Sequence, residues 1–273
     1  MSLYAICAVR SLPGVTSVAA GLAVTWPQER RFVAECDPSG GDLAEWFARS
    51  DAVGLRTFLT NTRSAADSVP ITSCLQDLFQ PGRDFADVGF EGSGLPALLG
   101  VLDPDRHERE NSMMEDLARC LSAWDGDVIA DVGRLAPMAR GQESMCRCAA
   151  MLIVLARPDV AHGRSLRTRM DLLRALNSDI RLVVVGDQPY SPRELAEFSG
   201  LPLFGALPPL GLMGGPGLAA SPTRKLRSHP LMSALQRLAL AMTVDSATVG
   251  KARESKSVSL DSTAAVSGSW RDV

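Results

Sequence analysis

The sequence contains no run of roughly 18 uncharged apolar residues, the length a membrane-spanning helix requires. Its amino terminus carries no basic stretch followed by an apolar core and a cleavage site, so no secretory leader is expected. Net charge is scarce as well. Lys plus Arg number 28 against 31 Asp plus Glu, a formal −3, which gives no global field for nucleic acid or anionic lipid. The three histidines (His107, His162, His229) lie far in sequence from Cys146-Arg-Cys148. That C-x-C spacing is not the C-x-x-C of common metal and redox sites, so a structural role is expected for the pair. The six cysteines (Cys7, Cys36, Cys74, Cys120, Cys146, Cys148) sit in apolar segments. Without a leader they are expected to be reduced and the protein cytoplasmic.

What is present is ordinary for a globular protein: 273 residues, 46% hydrophobic and 22% charged. Short apolar or β-branched runs alternate with helical patterns. The expected fold is α/β: a single doubly wound, mostly parallel sheet of about seven to eight strands with helices on both faces. Strands are predicted at Leu3–Val9, Arg31–Cys36, near Phe85–Phe90, Leu95–Leu102, Asp127–Asp131, Met151–Leu155, Ile180–Val185 and Leu203–Ala206. Helices are predicted at Thr16–Thr25, Leu43–Arg49, Asn111–Ala123, His162–Leu176, Pro192–Phe198 and Pro230–Met242, with a helix and a loop somewhere in Thr60–Arg83. Gly211–Ser221, rich in Gly, Pro and Ala, reads as a flexible loop. Residues 1–243 read as one domain. Residues 244–273, dominated by Ser, Thr, Ala, Lys and Asp, read as a disordered polar tail.

The first chemical signal is at the amino-terminal end. An apolar run, Tyr4-Ala-Ile-Cys-Ala-Val9, leads through Arg10-Ser-Leu-Pro-Gly14 into an Ala-rich helix that starts at Thr16-Ser17. Strand, tight turn, helix N-terminus and a hydroxyl are the parts of a phosphate-binding P-loop, G-x-x-x-x-G-K-[ST]. Gly14 and Thr16 match that pattern. Val15 stands where the lysine belongs, and Pro13 lacks an N–H donor. Losing such a charge partner costs on the order of 2–5 kcal/mol. Arg10 is the cation available within the loop to compensate, since guanidinium suits phosphate. A strand–turn–helix joint capped by Thr16 or Ser17 is the bland alternative.

Three further segments follow in order. Glu35-Cys-Asp-Pro-Ser-Gly-Gly-Asp42 comes directly after the second strand, where α/β proteins bind ligands. Asp42 is expected to cap the next helix, and Glu35 and Asp37 to face a site. Asp37 also lies about 20 residues past the first loop, the spacing of a ribose-binding acid in a dinucleotide fold, although the three glycines of that motif are absent. Asp125-Gly-Asp-Val-Ile-Ala-Asp-Val-Gly133 is an apolar strand ending in Asp131, the layout of a Walker-B carboxylate that reaches magnesium directly or through water. Val184-Val-Gly-Asp187 closes a late strand, and Asp187 either reads a base edge or serves a turn.

Together these motifs resemble the MinD/ParA family of deviant Walker-A ATPases, within the SIMIBI class of P-loop proteins, over about residues 3–242. By that resemblance Arg10 takes the place of the signature lysine that reaches across an ATP-sandwich dimer. Val15 takes that of the phosphate lysine, Thr16 that of the magnesium ligand, and Asp131 that of the Walker-B aspartate. Glu35-Cys-Asp-Pro-Ser-Gly40, Arg157-Pro158-Asp159 and Leu203-Phe-Gly-Ala-Leu-Pro208 also look like family segments. The resemblance implies a nucleotide site formed by Arg10, Gly14, Val15, Thr16, Ser17 and Asp187, magnesium on Thr16 and Asp131, and Asp37 as the residue that positions water. ATP or ADP with magnesium is the implied cofactor, with no cofactor at all as the alternative.

The departures all fall in the phosphate site, so hydrolysis is expected to be weak or absent. Degenerate relatives resembling this chain include TadZ/CpaE-type localisation proteins of pilus and secretion systems. The reading is therefore a homodimeric scaffold or localisation factor for a pilus, secretion, cell-division or partition apparatus, with protein partners. The alternatives are a slow ATPase in which Arg10 replaces the lysine and, more remotely, a dinucleotide-dependent oxidoreductase using Asp37. Arg164, Arg167, Arg169 and Arg174 read as a solvated face rather than a nucleic-acid surface. Pro230–Met242 reads as a closing helix packed on the sheet, with peripheral membrane contact as the alternative.

Overall fold

The structure, a computed structural model, describes residues 1–11, 14–50, 52–64, 70–79, 94–100, 111–136, 140–211, 214–220 and 228–245. Its centre is an eight-stranded sheet in the order β3-β4-β2-β5-β1-β6-β7-β8. The strands are β1 (Ser2–Ala8), β2 (Arg31–Glu35), β3 (Gln76–Asp77), β4 (Pro96–Leu98), β5 (Asp127–Arg134), β6 (Met151–Ala156), β7 (Ile180–Val185) and β8 (Leu203–Leu207). All pairings are parallel except that of β3 with β4. The helices are α1 (Val15–Thr25), α2 (Leu43–Trp46), α3 (Leu55–Ser64), α4 (Asn111–Ser122), α5 (Arg140–Cys148), α6 (Val160–Thr168), α7 (Met170–Leu176), α8 (Pro192–Ser199), α9 (Pro216–Ala220) and α10 (residues 230–245).

Continuous apolar strands are what a sheet covered on both faces demands. In β1 the side chains alternate between two cores. Tyr4, Ile6 and Ala8 join α1 and α10 on one face, and Leu3, Ala5 and Cys7 join α4 and α7 on the other. The small residues of α1 let it approach the sheet closely. A methyl at Gly21 would fall 2.6 Å from Leu235 Cδ1, so α10 rests in the notch that glycine leaves. Buried Asp127 fastens the entrance of the sheet, accepting from Ser2 N and from Trp26 Nε1, both at 2.9 Å.

The expected fold class is therefore found, with differences in the elements. His162–Leu176 is two helices. Arg169 leaves helical geometry (φ −104°, ψ 9°) and its Nη1 donates to Leu135 O at 2.5 Å, which anchors the break. α5, β3 and most of α3 had no counterpart in the sequence reading, whereas the helix expected within Thr60–Arg83 is met by the end of α3 and a 3-10 turn at Ile71–Cys74. Part of the Gly211–Ser221 loop is helical instead, as α9, because Leu218 and Ala219 are buried in the core and override the local Gly and Pro content. α2 ends at Trp46 rather than Arg49. α10 packs Leu231, Leu235, Leu238 and Met242 into the core, so it closes the domain, and it runs through residue 245. The strand predicted near Phe85–Phe90 and the tail from residue 246 onward lie outside the described residues. Among the described residues no helix is long and apolar enough to cross a membrane.

Candidate functional site: a cleft at the carboxyl edge of the sheet

Parallel strands deliver their carboxyl ends to one edge of the sheet, and the chain reverses its direction of winding between β1 and β6. A cleft of about 820 Å³ opens along that edge. Gly14, Thr16 and Ser17 from the start of α1, Asp42 and Trp46 from α2, Arg157 and Asp159 after β6, and Asp187 and Gln188 after β7 line it. Pro209, Leu210 and Gly211 close its rim.

Gly14 sets the geometry of the loop. It sits at the N-cap of α1 with φ +116°, a left-handed conformation that favours glycine, and no side chain caps the helix. Neither Thr16 nor Ser17 spends its hydroxyl on the helix end. Ser17 Oγ accepts from Gly215 N at 2.7 Å, drawing the 214–215 segment over the loop. The Thr16 hydroxyl stands beside the carboxylate of Asp131 and favours its charged form.

Asp131 lies opposite Ile6 of β1, is the last residue of β5 paired with β2, and is fully buried. The next residue has no partner on β1: Ile6 faces Asp131 and Cys7 faces Gly133, so Val132 is an inserted bulge. Bulges re-aim side chains beside sites. Here the bulge, with Gly133 at φ +67°, lets Gly133 N donate to Asp131 Oδ1 at 2.9 Å. Burial pushes the Asp131 carboxyl up to about 7. The Thr16 and Gly133 bonds oppose that rise, while the nearby charges of Asp37 and Glu35 add to it.

Those two acids differ in role. Glu35 is spent on structure. Its Oε1 accepts from Asp42 N and Leu43 N, both at 2.8 Å, and its Oε2 from Gly100 N at 2.9 Å. The sequence reading aimed Glu35 at a site. The structure makes it a brace, because three otherwise buried N–H groups need an acceptor there. Asp37 is half-buried, accepts from Ser39 N at 2.8 Å, and packs so closely on Gly133 that a methyl at 133 would fall 2.0 Å from its Oδ2. Burial raises its carboxyl as well. Asp37 therefore faces Gly133 beside the Asp131 carboxylate, not the open cleft, and the ribose-binding reading loses its acid.

Of the residues singled out in the sequence, Gly14, Thr16, Ser17 and Asp187 meet in the cleft, with Asp131 buried beside Thr16. Arg10 is exposed and Val15 is buried in the core at the head of α1; neither lines the cleft. Asp42 takes the N-cap position but makes no capping bond and turns to the cleft instead. Trp46, Leu210 and, as a site residue, Arg157 were missed. Arg157 carried the same signal as Asp131, a polar side chain at a strand's carboxyl end. Leu210 carried none, for its place depends on a loop returning from the far side of the sheet. It packs directly on the loop: a methyl at Gly14 would lie 1.9 Å from Leu210 Cδ1.

The donor set fits the magnesium end of a nucleotide site. A hydroxyl beside a buried carboxylate, with the acids Asp37 and Glu35 close behind, suits a hard cation. Among the described residues no group of three His, Cys, Asp or Glu side chains could hold a metal by itself. An ion there would accordingly need oxygens from a ligand. The phosphate end is altered, lacking the loop lysine and carrying Leu210 against Gly14.

A doubly wound, mostly parallel sheet with a strand–loop–helix turn at its switch point is the fold of MinD/ParA ATPases. Solved structures share that fold at low sequence identity. A ParA family ATPase from Chlorobium tepidum TLS aligns with a TM-score of 0.69 and 13% identity, over 88% of this chain and 98% of that one. The septum site-determining protein MinD of Pyrococcus horikoshii OT3, complexed with Mg-ADP, gives 0.66 and 13%, over 87% and 94%. The MinC:MinD cell division complex of Aquifex aeolicus gives 0.62 and 12%, over 89% and 96%. No family model matches the chain, and no curated protein sequence is similar to it.

Proposed function

We propose that this chain is a MinD/ParA-like protein that binds a magnesium nucleotide in the cleft, turns it over slowly at most, and acts as a homodimeric scaffold or localisation factor for a pilus, secretion, cell-division or partition apparatus. One observation carries the reading. The Thr16 hydroxyl stands beside the buried Asp131 carboxylate at the head of α1 and favours its charged form, while Val15, in the lysine position, is buried in the core. This supports a site in which the metal-binding pair is present and the phosphate lysine is not. Bound magnesium would supply positive charge to phosphate oxygens. On the protein side, Thr16 and Asp131 would hold the ion and the N–H groups at the start of α1 would meet the phosphates. Among the described residues no lysine stands ready to stabilise charge on a transferred phosphoryl group, which argues for binding without efficient hydrolysis.

The similar structures support the coarser part of the proposal, since they include a MinD bound to Mg-ADP and a MinD in complex with MinC. The reading that Arg10 replaces the lysine draws no support from the cleft, because Arg10 is exposed and is not among the residues that line it. The test is calorimetric titration of Mg-ATP and Mg-ADP into wild type and Thr16→Ala, with phosphate release followed in parallel. Saturable binding that the variant loses, with little turnover, is the expected result. No heat from wild type at millimolar nucleotide would sink it.

A further inference from the structure

We propose that Arg157 is the phosphate-binding cation of this cleft, supplied from the neighbouring strand in place of the loop lysine, and that the ligand it selects is a nucleoside di- or triphosphate rather than a nucleoside. This rests on the nucleotide reading above.

The argument begins with what the chain lacks. Its lysines are Lys225, Lys251 and Lys256, and none is among the described residues. A cation supplied to that cleft by the described residues is therefore an arginine or a histidine, not a lysine. Of the residues lining the cleft Arg157 alone is basic, against Asp42, Asp159 and Asp187. An anion entering a lining with that balance needs a positive group close at hand.

Position supports the same residue. β6 lies directly beside β1, with Ala8 opposite Leu155. Arg157 follows the last residue of β6, so it stands level with the point where β1 gives way to the loop. Its guanidinium makes no hydrogen bond or ion pair with any described residue, although Asp159 is only two positions away. Asp159 is already engaged, accepting from His162 N at 2.8 Å and from His162 Nδ1 at 2.9 Å. That contact holds its carboxyl below the usual range despite partial burial. Arg157 is thus an exposed, unpartnered cation at the mouth of a phosphate loop. Guanidinium offers a planar fork of donors that matches two phosphate oxygens at once, so the replacement of ammonium by guanidinium is chemically sound.

The experiment is calorimetry of Mg-ADP, Mg-ATP and adenosine with the full chain. Wild type is compared with Arg157→Gln, Arg157→Lys, Arg10→Gln and Arg164→Gln. Loss of a charged partner of this kind predicts a weakening of about 30-fold or more for both phosphorylated ligands in Arg157→Gln. Adenosine affinity should stay unchanged, Arg157→Lys should recover part of the loss, and Arg164→Gln should behave as wild type. Because the Arg157 side chain has no partner among the described residues, its thermal melt should match wild type. Mg-ADP binding that survives Arg157→Gln intact overturns the assignment while leaving the nucleotide reading in place. Equal losses for adenosine and Mg-ADP overturn it too, as does a loss confined to Arg10→Gln. Wild type that takes up none of the three ligands overturns both proposals together.

Discussion

Asp131 is a carboxyl with nowhere to put its charge. It is fully buried, two other acids stand near it, and its pKa is raised from 3.8 to about 7. The folded chain therefore binds more protons than the unfolded chain between those values. Stability falls as pH rises from about 4 to 7, and the full penalty applies above 7. Asparagine at 131 keeps an acceptor for Gly133 N and the Thr16 hydroxyl without the charge. Asp131→Asn is expected to be more stable than wild type at pH 8 in chelator, by about 4 kcal/mol at most from a shift of this size. The difference should shrink toward pH 5. Urea melts at the two pH values check this, and a variant no more stable at pH 8 would contradict it. Leu210 poses the opposite case, an apolar side chain where a phosphate is proposed to lie. If nucleotide must displace it from Gly14, Leu210→Ala should tighten Mg-ADP binding by roughly tenfold, about 1.4 kcal/mol. Titration of the variant reads this directly, and unchanged affinity would place the phosphates elsewhere.

At the scale of elements, α1 and α10 form a matched pair. Leu235 is 1% exposed and fills the notch over Gly21. Leu235→Ala should cost about 2–5 kcal/mol, seen as a lower urea midpoint, because both the transfer energy and the cavity count. α8 makes a smaller and separable contribution. Ser191 and Glu194 form a capping box there, and Ser191→Ala should lower stability by about 1 kcal/mol. The elements most legible in the sequence were the buried parallel strands, whose apolar runs are long and bounded by turns. Ile180–Val185 appears in the structure with the bounds its sequence suggested. Less legible were β3, two residues held by pairing with β4, and α9, held by two buried side chains. In such pieces tertiary contact decides and local pattern says little. The site divided along the same line. Gly14, Thr16 and Asp131 were readable because each sits at the end of a strong strand or helix. The bracing role of Glu35 and the approach of Leu210 depend on residues 65 and 196 positions away, respectively, where spacing carries no signal.

For the whole molecule the test is linkage. A ligand that binds only the folded chain stabilises it by about 2.7 kcal/mol at a hundredfold excess over its Kd. Thermal melts with Mg-ADP should rise accordingly in wild type and stay flat in Thr16→Ala. Sedimentation in the presence and absence of nucleotide checks the proposed homodimer, and a monomer under both conditions would remove the dimeric part of the proposal. One hydrogen bond also bears on how the protein comes into being. Gly215 N reaches Ser17 Oγ across 198 residues of chain. The loop that opens the sequence cannot acquire its roof until nearly everything after it has been made and folded into place. A partly synthesised or truncated chain can build β1 and α1 early, yet it has no closed cleft to offer. On the proposed function, uptake of a nucleotide would have to wait for this late contact to form.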